Sequence, residues 1–151
     1  MSSHTCLSYE SEENLLEIVS SFFTEGLRAH ELCLWVVPPS LGIIGAKEAL
    51  GKKIKNIEIY INDGQFELLS HNDVYLRSGI FDPDYTAILL DKKEQDALEQ
   101  GFSGLRISGD ASWLPENDWN VILNYEKDVD KLIPQKKIIA LCTYPSGKFG
   151  I

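Results

Sequence analysis

The sequence predicts an α/β domain in which a mostly parallel sheet has helices on both faces, a three-layer arrangement. Helical and strand-like segments alternate along the chain, which is the signature of this class. The segment Leu32–Val37 is apolar at every position, as expected for a strand covered on both faces. The 151 residues, 44% hydrophobic and 25% charged, are ordinary for one globular unit. We therefore expect residues 1–151 to form a single domain.

The first helix begins at Ser11, whose hydroxyl can cap the first backbone N–H groups. Glu12 and Glu13 then face the positive end of the helix dipole. Apolar residues recur at helical spacing up to Leu27, and the buried strand that follows ends at Pro38-Pro39.

The next segments are a short helix over residues 43–50 and a segment, 57–61, that allows two interpretations. Alternating isoleucines before Asp63-Gly64 are typical of a β-hairpin. The other interpretation is a short helix that Gly64 ends as its C′ residue, followed by a strand over residues 66–70. The residues by themselves leave both interpretations open.

The second half of the chain repeats the alternation of helix and strand. The predicted elements are a helix capped by Asp82 with Pro83 at its first position, a strand over 105–109, a helix capped by Asp118 and ending near Pro134, and a strand over 137–144. The predicted order is therefore helix then strand, four times over.

Charge and cysteine content restrict the location and the partners. A net charge of −9 disfavours direct nucleic-acid binding and docking on an anionic membrane. No apolar run approaches the roughly 20 residues of a membrane span, and the N-terminus lacks signal-peptide features. Three cysteines without paired spacing do not form a disulfide framework. We expect the protein to be cytoplasmic.

Motifs for catalysis are absent from the sequence. Residues 38–47 follow the first predicted strand but lack the Gly-Lys-Ser/Thr ending of a phosphate-binding loop. Ser112, His71 and Asp110 could form a triad on paper, but no G-x-S-x-G elbow supports one. We expect no enzymatic activity and no cofactor. His4, Cys6 and Cys142 are the candidate ligands for a soft metal, although no C-x-x-C pair exists and we expect no bound metal.

A ligand site is expected beyond the carboxyl ends of the strands, where open α/β sheets bind small molecules. Trp113 and Tyr144 would supply apolar contacts there. Polar or soft contacts, and one further aromatic ring, would come from Asp110, His71, Cys142 and Tyr75.

Several local patterns coincide in order and spacing along nearly the whole chain, from His4 to Phe149. They are His4-Thr5-Cys6, Tyr9-Glu10-Ser11-Glu12-Glu13, Glu25-Gly26-Leu27, Cys33-Leu34-Trp35-Val36, Asp63-Gly64-Gln65, Tyr75-Leu76, Phe81-Asp82-Pro83, Gly109-Asp110, Ser112-Trp113, Tyr125-Glu126 and Ala140-Leu141-Cys142. In this respect the chain resembles the MEDS family, the methanogen and methylotroph sensory domains.

The resemblance implies a RecA-like α/β domain without a working phosphate loop. Residues 57–61 are more β-like than the family pattern, and we favour the helix there, because tertiary context often overrides β propensity. It also implies an input domain that senses small hydrocarbon derivatives in prokaryotic signal transduction, coupled to a histidine kinase or a transcription regulator. A homodimer is compatible with such a domain. Asp110 departs from the family pattern, where we expect Glu in many relatives, so the ligand preference can differ.

Two alternatives stay open at this point. One is a divergent RecA-like ATPase or a hydrolase that uses the same edge of the sheet. The other is a protein-interaction module that binds no small molecule.

Overall fold

The computed structural model describes residues 2–148, in which helices and strands alternate along the chain. In chain order the elements are β1 (Ser3–Tyr9), α1 (Glu12–Arg28), β2 (Leu32–Val37), α2 (Gly42–Gly51), α3 (Ile57–Asn62), β3 (Phe66–Ser70), α4 (His71–Val74), β4 (Leu76–Arg77), β5 (Ile80–Phe81), α5 (Pro83–Glu99), β6 (Leu105–Asp110), α6 (Trp119–Leu132), a 3₁₀ turn (Ile133–Gln135) and β7 (Ile138–Pro145). Phe149, the end of the stretch that carries the resemblance, lies outside the described residues.

Five strands form one sheet in the order β1-β7-β6-β2-β3, and every neighbouring pair is parallel. The short strands β4 and β5 form a separate antiparallel hairpin. The predicted fold class is therefore confirmed, whereas the RecA likeness stays a prediction. Within residues 2–148, no helix combines the length and the apolar character that crossing a membrane requires.

The sheet separates two hydrophobic cores. Leu34 and Val36 of β2 point to one face, where they pack with residues of α5 and α6. Cys33 and Trp35 point to the other face, where they pack with residues of α1, α2 and α3. All six residues of β2 are buried, which explains its unbroken apolar sequence.

The predicted starts of two helices are confirmed by their capping bonds. The Ser11 hydroxyl accepts a hydrogen bond from the backbone N–H of Asn14, and the Asp82 carboxylate accepts one from Tyr85. Asp118 occupies the capping position of α6, but its side chain makes no capping hydrogen bond.

The helical interpretation of residues 57–61 is confirmed, and the hairpin alternative is wrong. Gly64 adopts a φ of +79° after α3, and its N–H donates to the carbonyl of Ile61. Because Ile57–Asn62 is the helix α3, no strand precedes Phe66–Ser70 to form a hairpin with it, and β3 pairs in parallel with β2 instead.

β1 was not predicted from the sequence. Its residues alternate little in polarity and most are exposed, because it is an edge strand that pairs with β7 alone. It places His4 and Cys6 beside β7, in register with Ala140 and Cys142.

Gly26 in α1 leaves room for a buried cation at the amino end of the sheet. A Cβ atom at this position would lie 2.4 Å from Cδ of Arg106. Arg106 is buried, and its Nε donates to the Glu31 carboxylate at 2.7 Å. Its guanidinium also lies 4.8 Å from the ring centre of Phe22. Glycine is therefore required at position 26 for packing against Arg106, and this contact lies far from the carboxyl edge of the sheet.

Candidate functional site

The connections that follow β2 and β6 leave the sheet in opposite directions. After β2 the chain turns to α2 on one face, and after β6 it turns to α6 on the other face. Diverging connections from adjacent strands create a crevice at the carboxyl edge, where this class of sheet binds ligands. A cleft of about 420 Å³ lies there, lined by Tyr9, Glu12, Leu15, Pro38, Pro39, Ser40, Ser112, Trp113 and Pro145.

Asp110 lies beneath this cleft as a buried anchor, with 1% of its surface exposed. Its Oδ2 accepts hydrogen bonds from the hydroxyls of Tyr9 and Thr143, both at 2.9 Å. Its Oδ1 accepts the backbone N–H of Ser112 at 2.9 Å. The carboxylate therefore joins the ends of β1, β6 and β7 and orients Tyr9 and Ser112 in the cleft wall. Burial of Tyr9, together with the Asp110 charge, raises the pKa of the Tyr9 hydroxyl, which stays protonated as a donor.

Trp113 connects the cleft to a stack of aromatic rings. Its ring is stacked with those of His71, Tyr75 and Phe81, at centroid distances of 5.6, 5.2 and 5.5 Å. Its indole N–H is buried and has no hydrogen-bond partner among the described residues. Burial lowers the pKa of His71, which favours the neutral imidazole in the stack. The stack links the cleft to the segment containing α4 and the β4–β5 hairpin.

The chemistry of the cleft favours neutral or cationic molecules. Its walls combine the proline rings of Pro38 and Pro39 and the indole of Trp113 with hydroxyl groups. Among the described residues of the lining there is one carboxylate, Glu12, and there is no lysine or arginine. A phosphate group would find no cationic partner in this lining.

The predicted site residues divide between the two faces of the sheet. Asp110 bonds to Tyr9, which belongs to the core under α1, whereas Cys142 belongs to the core under α5 and α6, and Tyr144 packs against that same core. Trp113, His71 and Tyr75 come together in the ring stack. Tyr75 and Cys142 also line a second, much smaller cavity of about 30 Å³, which has room for one or two water molecules.

A cluster of ionisable side chains lies between β1, β7 and α6, and we call it the His4 cluster. It consists of His4, Cys6, Glu126, Asp130 and Cys142. Nε2 of His4 lies 2.6 Å from Oε2 of Glu126, and Nδ1 lies 2.7 Å from Oδ1 of Asp130. The Cys6 thiol donates to the same Oε2 of Glu126 at 2.9 Å. Cys142 lies opposite Cys6 in the β1–β7 register. The ligand atoms of His4, Cys6 and Glu126 all lie within 4.8 Å of one another.

These contacts shift the ionisation of every member that faces the centre of the cluster. Burial disfavours charged His4, but hydrogen bonds with Cys6, Glu126 and Asp130 outweigh it and raise the pKa of His4 to about 11. The interaction with the Cys142 thiol lowers the pKa of Cys6 to about 7, against the opposing effect of burial. The same interaction, followed by burial, raises the pKa of Cys142 well above its ordinary value. Burial opposes the ionisation of Glu126, yet hydrogen bonds from His4 and the thiols lower its pKa. The cluster thus holds an imidazolium beside a carboxylate and an acidified thiol.

Sequence reasoning identified only part of both arrangements. It missed Tyr9 in the cleft, and it missed Glu126 and Asp130 in the His4 cluster. The spacing of the two acids, four residues apart on one predicted helix, was a usable signal because such residues share a helix face. Nothing in the sequence showed that this face lies against β1, since that strand was itself not predicted.

A comparison with protein families finds that residues 3–150 match the family described as "MEDS: MEthanogen/methylotroph, DcmR Sensory domain". The matched range takes in the cleft, the ring stack and the His4 cluster. A comparison with curated proteins finds no match.

Proposed function

The chain belongs to the MEDS family of sensory domains, and we propose that it senses a small, neutral or cationic organic molecule in the cleft at the carboxyl edge of its sheet. Hydrocarbon derivatives such as short alcohols or methylated amines are the ligand class that suits these walls. Trp113 and the two prolines provide apolar contacts, while the hydroxyl groups of Ser40 and Ser112 provide hydrogen bonds.

The observation that carries the proposal is the position of the cleft. It lies where the chain diverges after β2 and β6, and its volume of about 420 Å³ is within the usual range for ligand pockets. The lining without lysine or arginine in the described residues disfavours the ATPase alternative, because nucleotide phosphates are held by cations and oriented N–H groups.

Signal output would use the ring stack. A ligand that contacts Trp113 in one conformation better than in another shifts the population between the two. Because Trp113 stacks on His71, Tyr75 and Phe81, such a shift would reach α4 and the β4–β5 hairpin. The partner that responds to this change would be a histidine kinase or a transcription regulator in a prokaryotic signalling system. A homodimer of the domain could also take part in the change between the two conformations.

The test is a thermal-shift and calorimetric screen with short alcohols, methylated amines, carboxylates and nucleotides. A ligand at 100 times its Kd should add about 2.7 kcal/mol to the free energy of unfolding. We expect hits among neutral and cationic compounds, and we expect Trp113→Ala to weaken their binding at least about tenfold, equivalent to 1.4 kcal/mol.

The matched control is Phe102→Ala, which removes a half-buried aromatic ring that contacts His30 just before β6, at the amino end of the sheet. This variant should keep the affinity of the native protein. Hits restricted to carboxylates or nucleotides, or equal losses of affinity in the two variants, would refute the proposed site.

A further inference from the structure

We propose that His4, Cys6 and Glu126 form a binding site for a divalent transition-metal ion of the zinc type. The proposal stands on the His4 cluster alone and does not depend on the ligand cleft, which lies at the carboxyl edge of the sheet. It assigns a role to three ionisable side chains that the sensing site does not use.

The three donor atoms are the nitrogen, sulfur and oxygen ligands that zinc prefers. Zinc binds imidazole nitrogen and carboxylate oxygen at about 2.0–2.2 Å and thiolate sulfur at about 2.3 Å, in tetrahedral geometry. Two such ligands are then about 3.3–3.8 Å apart. Here Nε2 and Sγ are 3.8 Å apart, while both lie at hydrogen-bond distances, 2.6 and 2.9 Å, from Oε2 of Glu126. A movement of the Glu126 carboxylate by about one ångström would give the spacing of a bound ion.

Protons occupy the place of the ion in the metal-free cluster. The Nε2–H of His4 and the S–H of Cys6 both point to Oε2 of Glu126. Binding of a divalent cation would release these two protons and replace their two hydrogen bonds with bonds to the metal. The charges balance, because the ion replaces two protons and the carboxylate stays ionised.

The surroundings of the cluster have the features of an outer ligand shell. Nδ1 of His4 donates to the Asp130 carboxylate at 2.7 Å, which is the carboxylate–histidine arrangement that orients imidazole ligands toward metals. Oε1 of Glu126 is buried and has no hydrogen-bond partner within the described part of the chain. An ion bound by both carboxylate oxygens of Glu126 would satisfy Oε1, which otherwise carries the cost of a buried unpaired acceptor.

The donors also lie on rigid elements. His4 and Cys6 are two residues apart on β1 and therefore share a face of the sheet. Glu126 is on α6, which packs over that face, and Cys142 places a second thiol opposite Cys6. Sites held by strands and helices keep their geometry better than sites on loops.

The experiment is a titration of the chelator-treated, reduced full chain with Co²⁺ and then with Zn²⁺. We expect one equivalent of Co²⁺ to give the near-ultraviolet absorption of a thiolate–cobalt bond, and one equivalent of Zn²⁺ to abolish it. Asp130→Asn should weaken binding about 10–100-fold, as for other outer-shell partners, and Cys6→Ser and His4→Gln should weaken it more.

Cys33→Ala is the matched control, because this thiol is buried under α1 on the opposite face of the sheet, and it should leave metal affinity unchanged. Circular dichroism checks that each variant is folded, and Glu126→Gln replaces His4→Gln if the latter does not fold. Absence of saturable binding at one equivalent, or native affinity in Cys6→Ser, would overturn the proposal. The metal titration contains no organic ligand, so a negative result would not argue against the cleft as a ligand site. A negative ligand screen would likewise not argue against the metal site.

Discussion

Replacement of Asp110 by alanine should destabilise the domain strongly, although the residue sits at the edge of a cleft. Alanine leaves the hydroxyls of Tyr9 and Thr143 buried without their acceptor, and each such group costs about 1–3 kcal/mol. The N–H of Ser112 is only half-buried and can bond to water. Loss of the carboxylate also removes the cost of keeping it buried. We therefore expect the free energy of unfolding to fall by about 2–4 kcal/mol.

Urea denaturation followed by circular dichroism measures this change, with an unchanged slope showing that the unfolded state is the same. The control is a variant that carries Tyr9→Phe and Thr143→Val. In this background no hydroxyl group loses its acceptor when Asp110 is replaced. In that background Asp110→Ala should lower the free energy of unfolding by less than in the native chain, because residues in direct contact have non-additive effects on stability. A loss below about 1 kcal/mol in the native chain, or the same loss in both backgrounds, would refute the account of Asp110 as an anchor.

Two further predictions concern the ring stack. Gly109→Ala should lower the free energy of unfolding by about 1–3 kcal/mol, because the new Cβ would lie 1.8 Å from the present position of the Tyr75 hydroxyl oxygen. Urea denaturation would measure this loss. An unchanged free energy of unfolding would contradict the close packing of Gly109 against Tyr75. His71 has a folded pKa below its usual value of about 6.5, so the unfolded chain takes up the proton first and stability falls as pH drops through that value. The free energy of unfolding at pH 7.5 minus that at pH 5.5 should be less positive, or more negative, in His71→Gln than in the native chain, because His4 contributes a pH dependence of the opposite sign to both proteins. An equal signed difference would show that His71 contributes nothing to the pH dependence.

The helix starts and the central strands could be read from the sequence because their causes are local. Ser11 and Asp82 are short polar residues placed where their side chains can bond to the next free N–H groups. Leu32–Val37 is buried on both faces, so no polar position interrupts it. Such local features identified the alternating helices and strands, and that alternation predicted the α/β class.

The edge strand β1 could not be read in the same way. Its stability comes from backbone hydrogen bonds to β7, more than 130 residues away, and its exposed side chains carry no apolar period. The His4 cluster depends on this strand, so the sequence suggested His4 and Cys6 as metal ligands but did not show their contacts with Glu126. Of the three suggested metal ligands, the structure brings together His4 and Cys6 with an unpredicted glutamate, and places Cys142 beside them.

The fold class, the positions of most helices and strands, and the edge of the sheet where a ligand is expected follow from local sequence, because capping, periodicity and burial act over a few residues. Which side chains share a face depends on the three-dimensional packing of distant segments. Successive residues of a strand point to opposite sides, so Thr143 of β7 joins Asp110 and Tyr9 under α1 while its neighbour Cys142 faces α6. A list of chemically suitable residues near one edge therefore became two separate arrangements, a cleft and a cluster, once the strand order β1-β7-β6-β2-β3 brought distant segments together.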